Sequence, residues 1–126
     1  MKVSSTFQRT DMSCMTHDSV ERAAQLMWEH DIDCLPVTDG FGHIAGVLTD
    51  RDVCITACTQ SVPLRTIAVA SVMTKVTVTC GEGDAVDAVE RMMSEHQIRR
   101  MPVADPDGRP IGVVTLRDIA RAAQGR

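Results

Sequence analysis

The stretches 46-GVLTDRD-52 and 112-GVVTLRD-118 carry one pattern, Gly-x-x-Thr-x-Arg-Asp, at two places in a chain of 126 residues. The second starts 66 residues after the first (position 46 to position 112), and the same offset carries Pro36 onto Pro102, His30 onto His96 and Met27 onto Met93. Followed outward without a gap, from Cys14 to Cys54 and from Cys80 to Ala120, the two copies also share Asp18/Asp84, Val20/Val86, Glu29/Glu95, Ile32/Ile98, Val37/Val103 and Asp39/Asp105. The unit is too long for the shorter solenoid repeats, and two copies are fewer than a solenoid needs. Half of this chain would bury too little surface to be stable alone, so the copies are expected to act as one module.

Each copy reads as strand, helix, strand, strand, helix. In 75-KVTVTC-80, Val76, Val78 and Cys80 alternate with Lys75, Thr77 and Thr79, the period of a half-buried strand; the earlier counterpart, 9-RTDMSC-14, is weaker. Asp18 three residues before Glu21, and Asp84 three before Asp87, resemble capping boxes opening a helix. Val20, Ala23, Ala24 and Met27 follow at helical spacing, and the helix should end near His30 and, in the second copy, His96. A strand then runs through CLPVTD and RMPVAD. Pro36 and Pro102 cannot donate to a ladder, which predicts an edge or local break with backbone groups left over for a ligand. DGFGH and DPDGR are turns, HIAGVLT and PIGVVT the hairpin partners, and DRDVCITAC and LRDIARAAQ the closing helices.

The Pro-bearing strand, the Asp-Gly turn and the closing Gly-x-x-Thr-x-x-Asp resemble a CBS motif, named for cystathionine beta-synthase, and 71-SVMT-74 is similar to its usual lead-in. The resemblance covers nearly the whole chain as a stand-alone tandem pair. It implies an α/β (α+β) fold of two pseudo-symmetric motifs packed as one module: motif 1 over 1–58, a connector over 59–71 and motif 2 over 72–126.

Read from residues alone, Thr49 with Asp52 and Thr115 with Asp118 are helix caps, a hydroxyl at the N-cap and a carboxylate three residues on. A helix N-terminus is also a natural anion site, so capping and ligand binding do not exclude each other. The resemblance implies more: Asp52 and Asp118 accept hydrogen bonds from ribose, while Thr49, Arg51, Thr115 and Arg117 face phosphate. In nucleotide-sensing relatives of this kind a His before the Pro strand lies near phosphate, which offers that role to His96 and His30; the neighbouring Arg of those relatives is replaced by Asp31 and Gln97. An adenine would rest on Leu35, Pro36 and Val37 in one copy and Met101, Pro102 and Val103 in the other, since the chain has no Tyr and few other aromatics. Ordinary core packing is the competing role of these six residues.

The copies differ in charge. The second has Arg99, Arg100 and Arg109 where the first has Asp33, Cys34 and His43, and Leu116 where the first has Asp50. Arginine's fork of donors matches phosphate oxygens and a nearby carboxylate repels them, so unequal sites are expected, with the Asp118 side preferring the anionic nucleotide.

Composition excludes several classes. A formal net charge of −4 argues against a nucleic-acid binder, because such proteins usually present a basic face. No apolar run approaches the roughly 20 residues of a membrane span, and the N-terminal stretch lacks a signal-peptide apolar core, so a soluble, cytoplasmic protein is expected. The five cysteines show no CxxC spacing and suit a reducing compartment as small buried hydrophobes. His17, His30, His43 and His96 lack the spacing of a helical zinc site, and no Walker-type loop or Gly-x-Ser-x-Gly is present. No metal, no obligatory cofactor and no enzyme activity are therefore expected.

Leu26, Met27 and Trp28 are consecutive in the first helix of copy one, as are Met92 and Met93 in copy two. Neighbours on a helix point about 100° apart, so one narrow core cannot take both members. A second burial surface follows, and the resemblance implies a homodimer through these helices. The expected function is a regulatory module binding an adenine nucleotide (AMP, ADP, ATP or NAD) or S-adenosylmethionine in the clefts between repeats and signalling to a separate partner protein. The alternative is a ligand-free interaction or stress protein in which Thr and Asp only cap helices and the cysteines report redox state.

Overall fold

Residues 20–30 carry apolar side chains on one stripe, and in the computed structural model, which describes residues 1–7, 9–76 and 78–124, they form helix α1 (Val20–His30) with Val20, Ala23 and Met27 buried. Its start differs from the expectation. Ser19 is the N-cap and accepts a hydrogen bond from the Arg22 N–H, whereas the Asp18 carboxylate accepts from the Met15 N–H at 2.8 Å and ties the preceding turn. The equivalent helix in the second copy, Val86–His96, begins at Ala85 with no side-chain cap, and Asp84 accepts from the Gly81 N–H. Both aspartates are turn residues one position before the N-cap, not caps themselves.

Both helices stop where the His residues predicted, by a backbone device that their sequence hides. Asp31 and Gln97 adopt left-handed conformations, φ 52° and 54°. The Ile32 N–H reaches back to the Met27 carbonyl and the Ile98 N–H to that of Met93, at 3.0 and 2.9 Å, the six-to-one bond of a Schellman motif. Ile32 and Met27 also share one apolar cluster, and Ile98 and Met93 share the other. Glycine is the usual residue at such a position, and its absence leaves no punctuation to read.

Residues 12–77 form one compact unit. Its sheet has the order β1 (Cys14–Met15), β2 (Cys34–Thr38), β3 (Ile44–Thr49), β4 (Thr74–Lys75), with β1 parallel to β2 and the other pairs antiparallel. The closing helix is α2 (Asp50–Thr59). Gly46, the first residue of the repeated motif, lies opposite Lys75, and a Cβ there would come within 2.2 Å of the Thr74 carbonyl oxygen. Glycine is needed because β4 passes directly over it. Cys14, Ala23, Met27, Leu35, Val37, Leu48 and Val69 form the core.

The other unit joins residues 1–11 to 78–126. Helix α3 (Val86–His96) packs with the hairpin β5 (Arg100–Ala104) and β6 (Pro110–Thr115), and α4 (Leu116–Gln124) closes it. The alternating stretch before α3 is only partly a strand. Lys75 belongs to β4 of the first sheet, Cys80 makes a single parallel bridge to Val103, and Thr77 lies outside the described residues. Val76 and Cys80 are nonetheless buried and Thr79 exposed, as the alternation required.

Pro36 is not on an edge strand, because β2 is internal. It stands one residue before the β1 pairing begins at Val37. In the second unit the Pro102 carbonyl accepts the Cys80 N–H at 3.1 Å, so that side of β5 faces Cys80 and not β6. Proline's missing N–H therefore removes no hairpin bond, and the Pro102 carbonyl, which the sequence left over for a ligand, is already used.

The repeat extends further than the alignment from Cys14 reaches, and its lead-in segments are exchanged. Val69–Ser71 forms a 3-10 turn against copy one and Val3–Ser5 forms one against copy two, 66 residues apart. The Val69, Ala70 and Val20 N–H groups bond to the carbonyls of Asp18, Thr16 and Ile67. Their counterparts at Val3, Ser4 and Val86 bond to Asp84, Glu82 and Met1. The connector over 59–71 is thus part of the first unit, and the chain's first 11 residues, expected within motif 1, belong with the second copy. Val3 and Val69 are both 0% exposed. Val3→Ala and Val69→Ala should each cost about 2 kcal/mol in denaturant unfolding, the loss of two buried methyl groups plus a cavity; a loss below about 0.5 kcal/mol would mark that segment as surface dressing.

Candidate functional site

Thr49 ends β3 and caps α2. Its hydroxyl accepts the Asp52 N–H at 3.1 Å, and the Asp52 carboxylate accepts the Thr49 N–H at 2.9 Å. Thr115 and Asp118 repeat the arrangement at the start of α4, both bonds being 3.0 Å. The capping expected from the residues is therefore fully formed in both copies. Each aspartate uses Oδ2 for the cap; a carboxylate offers about four lone-pair sites, so the same group can also accept from a hydroxyl outside the helix. Thr49 is 6% exposed, while Arg51 and Arg117 project into solvent from the first turn.

The strand that carries each proline runs beside its cap. Cys34 is opposite Thr49 and Arg100 opposite Thr115, and the Asp50 and Leu116 N–H groups bond to the carbonyls of Asp33 and Arg99. Within each unit the structure thus brings together the start of the Pro strand, the Thr–Asp cap and the exposed arginine. The side chains expected to carry a base are placed otherwise. Leu35, Val37, Met101 and Val103 are 0% exposed inside the two apolar clusters, and Pro36 and Pro102 are buried on the other face of their strands. Four of the six therefore pack in the cores, and the two prolines are buried outside those clusters. His30 and His96 are exposed at the last turns of α1 and α3.

Arg100 was read from the sequence only as part of a charge difference, yet its Nε is buried without a hydrogen-bond partner next to Thr115. A buried donor without an acceptor is costly and invites an anionic or carbonyl group. Copy one has Cys34 at that register position, and its first helical turn carries Asp50, whose carboxylate accepts the Arg51 N–H at 2.7 Å. In the first unit a cavity of about 390 Å³ lies along α2, lined by Asp52, Ile55, Thr56, Thr59, Ile67 and Val72 among others. Its size suits a small molecule.

Cys14 and Cys80 are 2% and 4% exposed. Burial, with the Asp18 carboxylate adding to it, pushes the Cys14 thiol up to about 12. Burial and Asp84 push that of Cys80 up to about 11. Neither is the exposed, acidic thiol that a redox reporter needs. Burial was expected for all the cysteines, but Cys54 and Cys58 are exposed on α2. Among the described residues no three His, Cys, Asp or Glu side chains gather in a form that could hold a metal ion, and no helix is long and apolar enough to cross a membrane.

The family model described as CBS domain matches residues 5–55 and 69–125. Hypoxic response protein 1 of Mycobacterium tuberculosis is 36% identical over 106 residues, covering 83% of this chain and 73% of that protein. L-aspartate semialdehyde sulfurtransferase of Methanocaldococcus jannaschii is 31% identical over 108 residues; this chain spans only 20% of its length. Among solved structures, the CBS domain pair of protein MJ0100 in complex with 5′-methylthioadenosine and S-adenosyl-L-methionine superposes with a TM-score of 0.79 at 27% identity, covering 99% of this chain and 97% of that one. Hypoxic Response Protein I, solved with two coordinated zinc ions, gives 0.75 at 29% identity, covering 96% of this chain and 98% of that one.

Two outcomes follow from the site itself. Without any ligand, Asp52→Ala and Asp118→Ala should each lower unfolding stability by about 1 kcal/mol through loss of the cap; no loss would mean that the carboxylates are held for another purpose. In the native protein at pH 8, Cys14 and Cys80 should be alkylated by iodoacetamide at least about 100-fold more slowly than Cys54 and Cys58, because a raised pKa and burial both deplete accessible thiolate. Peptide mass spectrometry gives the four rates, and comparable rates would contradict the burial described.

Proposed function

This chain belongs to the CBS domain family, and from that premise we propose that it is a regulatory binding module for an adenosine-containing ligand, signalling to a separate protein. The observation that carries the reading is the duplicated Thr–Asp cap with an exposed arginine between its two residues, at one offset in both copies. Support comes from the MJ0100 pair, a structural neighbour solved with two adenosyl compounds.

In this reading Asp52 and Asp118 accept ribose hydroxyls while still holding their caps. Thr49 with Arg51, and Thr115 with Arg117, face the phosphate or its substituent, His96 lies nearby, and the Pro strands (Leu35 to Val37, Met101 to Val103) border the base through their backbone. The two sides are unequal. Arg100, with its unpaired Nε, and Arg117 draw a phosphorylated nucleotide to the Asp118 side. On the Asp52 side, Asp50 disfavours phosphate and tolerates an uncharged or cationic adenosyl compound. Ligand shifts only those states that it binds differently, so the output is a change in packing that a partner protein reads. The residues support binding and regulation in preference to catalysis. A homodimer through α1 and α3 accords with Trp28, which is 87% exposed on α1.

A second reading is favoured by one fact: the caps are complete without any ligand. The motif could then serve folding alone, in a protein that acts by contact with others.

Thermal unfolding with AMP, ADP, ATP, NAD and S-adenosylmethionine separates the two. A ligand at about 100 times its Kd should stabilise the fold by about 2.7 kcal/mol. Arg100→Ala and Arg117→Ala, which spare the caps, should diminish the shift with phosphorylated ligands and leave that with S-adenosylmethionine. No shift with any of the five would transfer the reading to the interaction protein. Equal loss for all ligands would remove the proposed inequality.

A further inference from the structure

The side of α2 away from the cavity carries two exposed cysteines. Asp52, Ile55, Thr56 and Thr59, spaced three and four residues apart, form the stripe that lines the cavity. Cys54 and Cys58 lie on another face, both exposed and both outside any disulfide. They are one turn apart, so their Cβ atoms stand about 5–6 Å from each other on the same side of the helix.

That separation decides their chemistry. A disulfide needs Cβ atoms about 3.5–4.5 Å apart, so the two sulfurs cannot join each other while the helix is intact. A thiophilic centre that holds each sulfur at about 2.3 Å allows them to stand up to about 4.6 Å apart, a span that staggered rotamers of an i, i+4 pair can meet. Coordination number then narrows the occupant. Zinc in structural sites takes four ligands and calcium six to eight. Among the described residues no group of three or more His, Cys, Asp or Glu provides such a shell. A soft centre satisfied by two thiolates, such as monovalent copper or a monosubstituted trivalent arsenical whose third bond is to carbon, remains.

The geometry points to Cys54 and Cys58 as a bidentate dithiol site for such a soft, thiophilic centre, one per chain. Binding is exchange without redox chemistry. A copper(I) ion displaces two thiol protons; phenylarsine oxide, PhAsO, takes two thiols to give PhAs(SR)2 and one water, forming two As–S bonds as the As–O bond is lost. A bridge from residue 54 to residue 58 also pins the last turn of α2, which ends at Gln60 in an extended conformation. The same helix begins at the Thr49–Asp52 cap.

The test titrates the intact, reduced protein with phenylarsine oxide, following mass and the number of titratable thiols. One adduct per chain with loss of two thiols is expected, with affinity falling at least about 100-fold in Cys54→Ser and in Cys58→Ser because the second bond is no longer intramolecular. Cys34→Ser should bind as wild type does. Wild-type affinity in either Cys54→Ser or Cys58→Ser, or loss of binding in Cys34→Ser, overturns the site. So does a Cys54–Cys58 disulfide formed on mild oxidation of the folded chain, since the helix geometry forbids it. A parallel competition for copper(I) against bathocuproine separates the occupants: copper retained by wild type but not by the single variants supports the metal ion, and arsenical retention alone supports the trivalent arsenic form.

Discussion

Everything else in this protein rests on the backbone hydrogen bonds by which each repeat is completed by residues that precede the other. Val3 and Val69 enter cores that their own repeats do not build, and in each unit three backbone bonds fix the segment against the turn and start of the first helix. A short sheet cannot cover its own apolar face, and these segments supply the missing cover. The exchange gives each unit one repeat together with the segment that precedes the other. It also explains why residues 59–71 cannot be treated as a tether: Val69 is part of the core of the first unit, and Val72 and Met73 just beyond pack against it.

The Thr–Asp caps show how one arrangement can meet a structural and a chemical demand together. A helix that starts at the end of a strand has N–H groups to satisfy, and Thr with Asp three residues later satisfies two of them. The same carboxylate keeps acceptor capacity toward the outside, and the arginine between the two is exposed because the cap turns it away from the core. The cost of the fold is thereby already met before a ligand arrives, and the motif can serve in a copy whether or not that copy is occupied.

The copies have diverged where backbone geometry leaves freedom. Gly46 and the capping residues are constrained by close approach and by hydrogen bonds, while the positions around them hold Asp50, Cys34, Cys54 and Cys58 in one unit and Leu116, Arg100, Ala120 and Gln124 in the other. The result is one unit with an acidic first turn and a dithiol face, and another with a basic rim and a buried guanidinium nitrogen that has no partner.

The sequence alone determined the repeat, the succession of helix, hairpin and closing helix in each copy, the first residue of both closing helices, and the cap at each of them, because these depend on local spacing and on Thr and Asp chemistry. Tertiary structure decided the rest. The helix starts at Ser19 and Ala85 were missed because Asp18 and Asp84 satisfy a neighbouring turn that competes for the same carboxylate. The left-handed ends at Asp31 and Gln97 carry no glycine, so nothing local announced them. Leu35, Val37, Met101 and Val103 fit an apolar pattern that serves a core and a base-binding wall equally well, and only packing put them in the core. The exchange of lead-in segments lay furthest from reach. It depends on backbone bonds between residues far apart in the chain, and MKVSS and IAVAS share too few side chains to reveal that they occupy equivalent places.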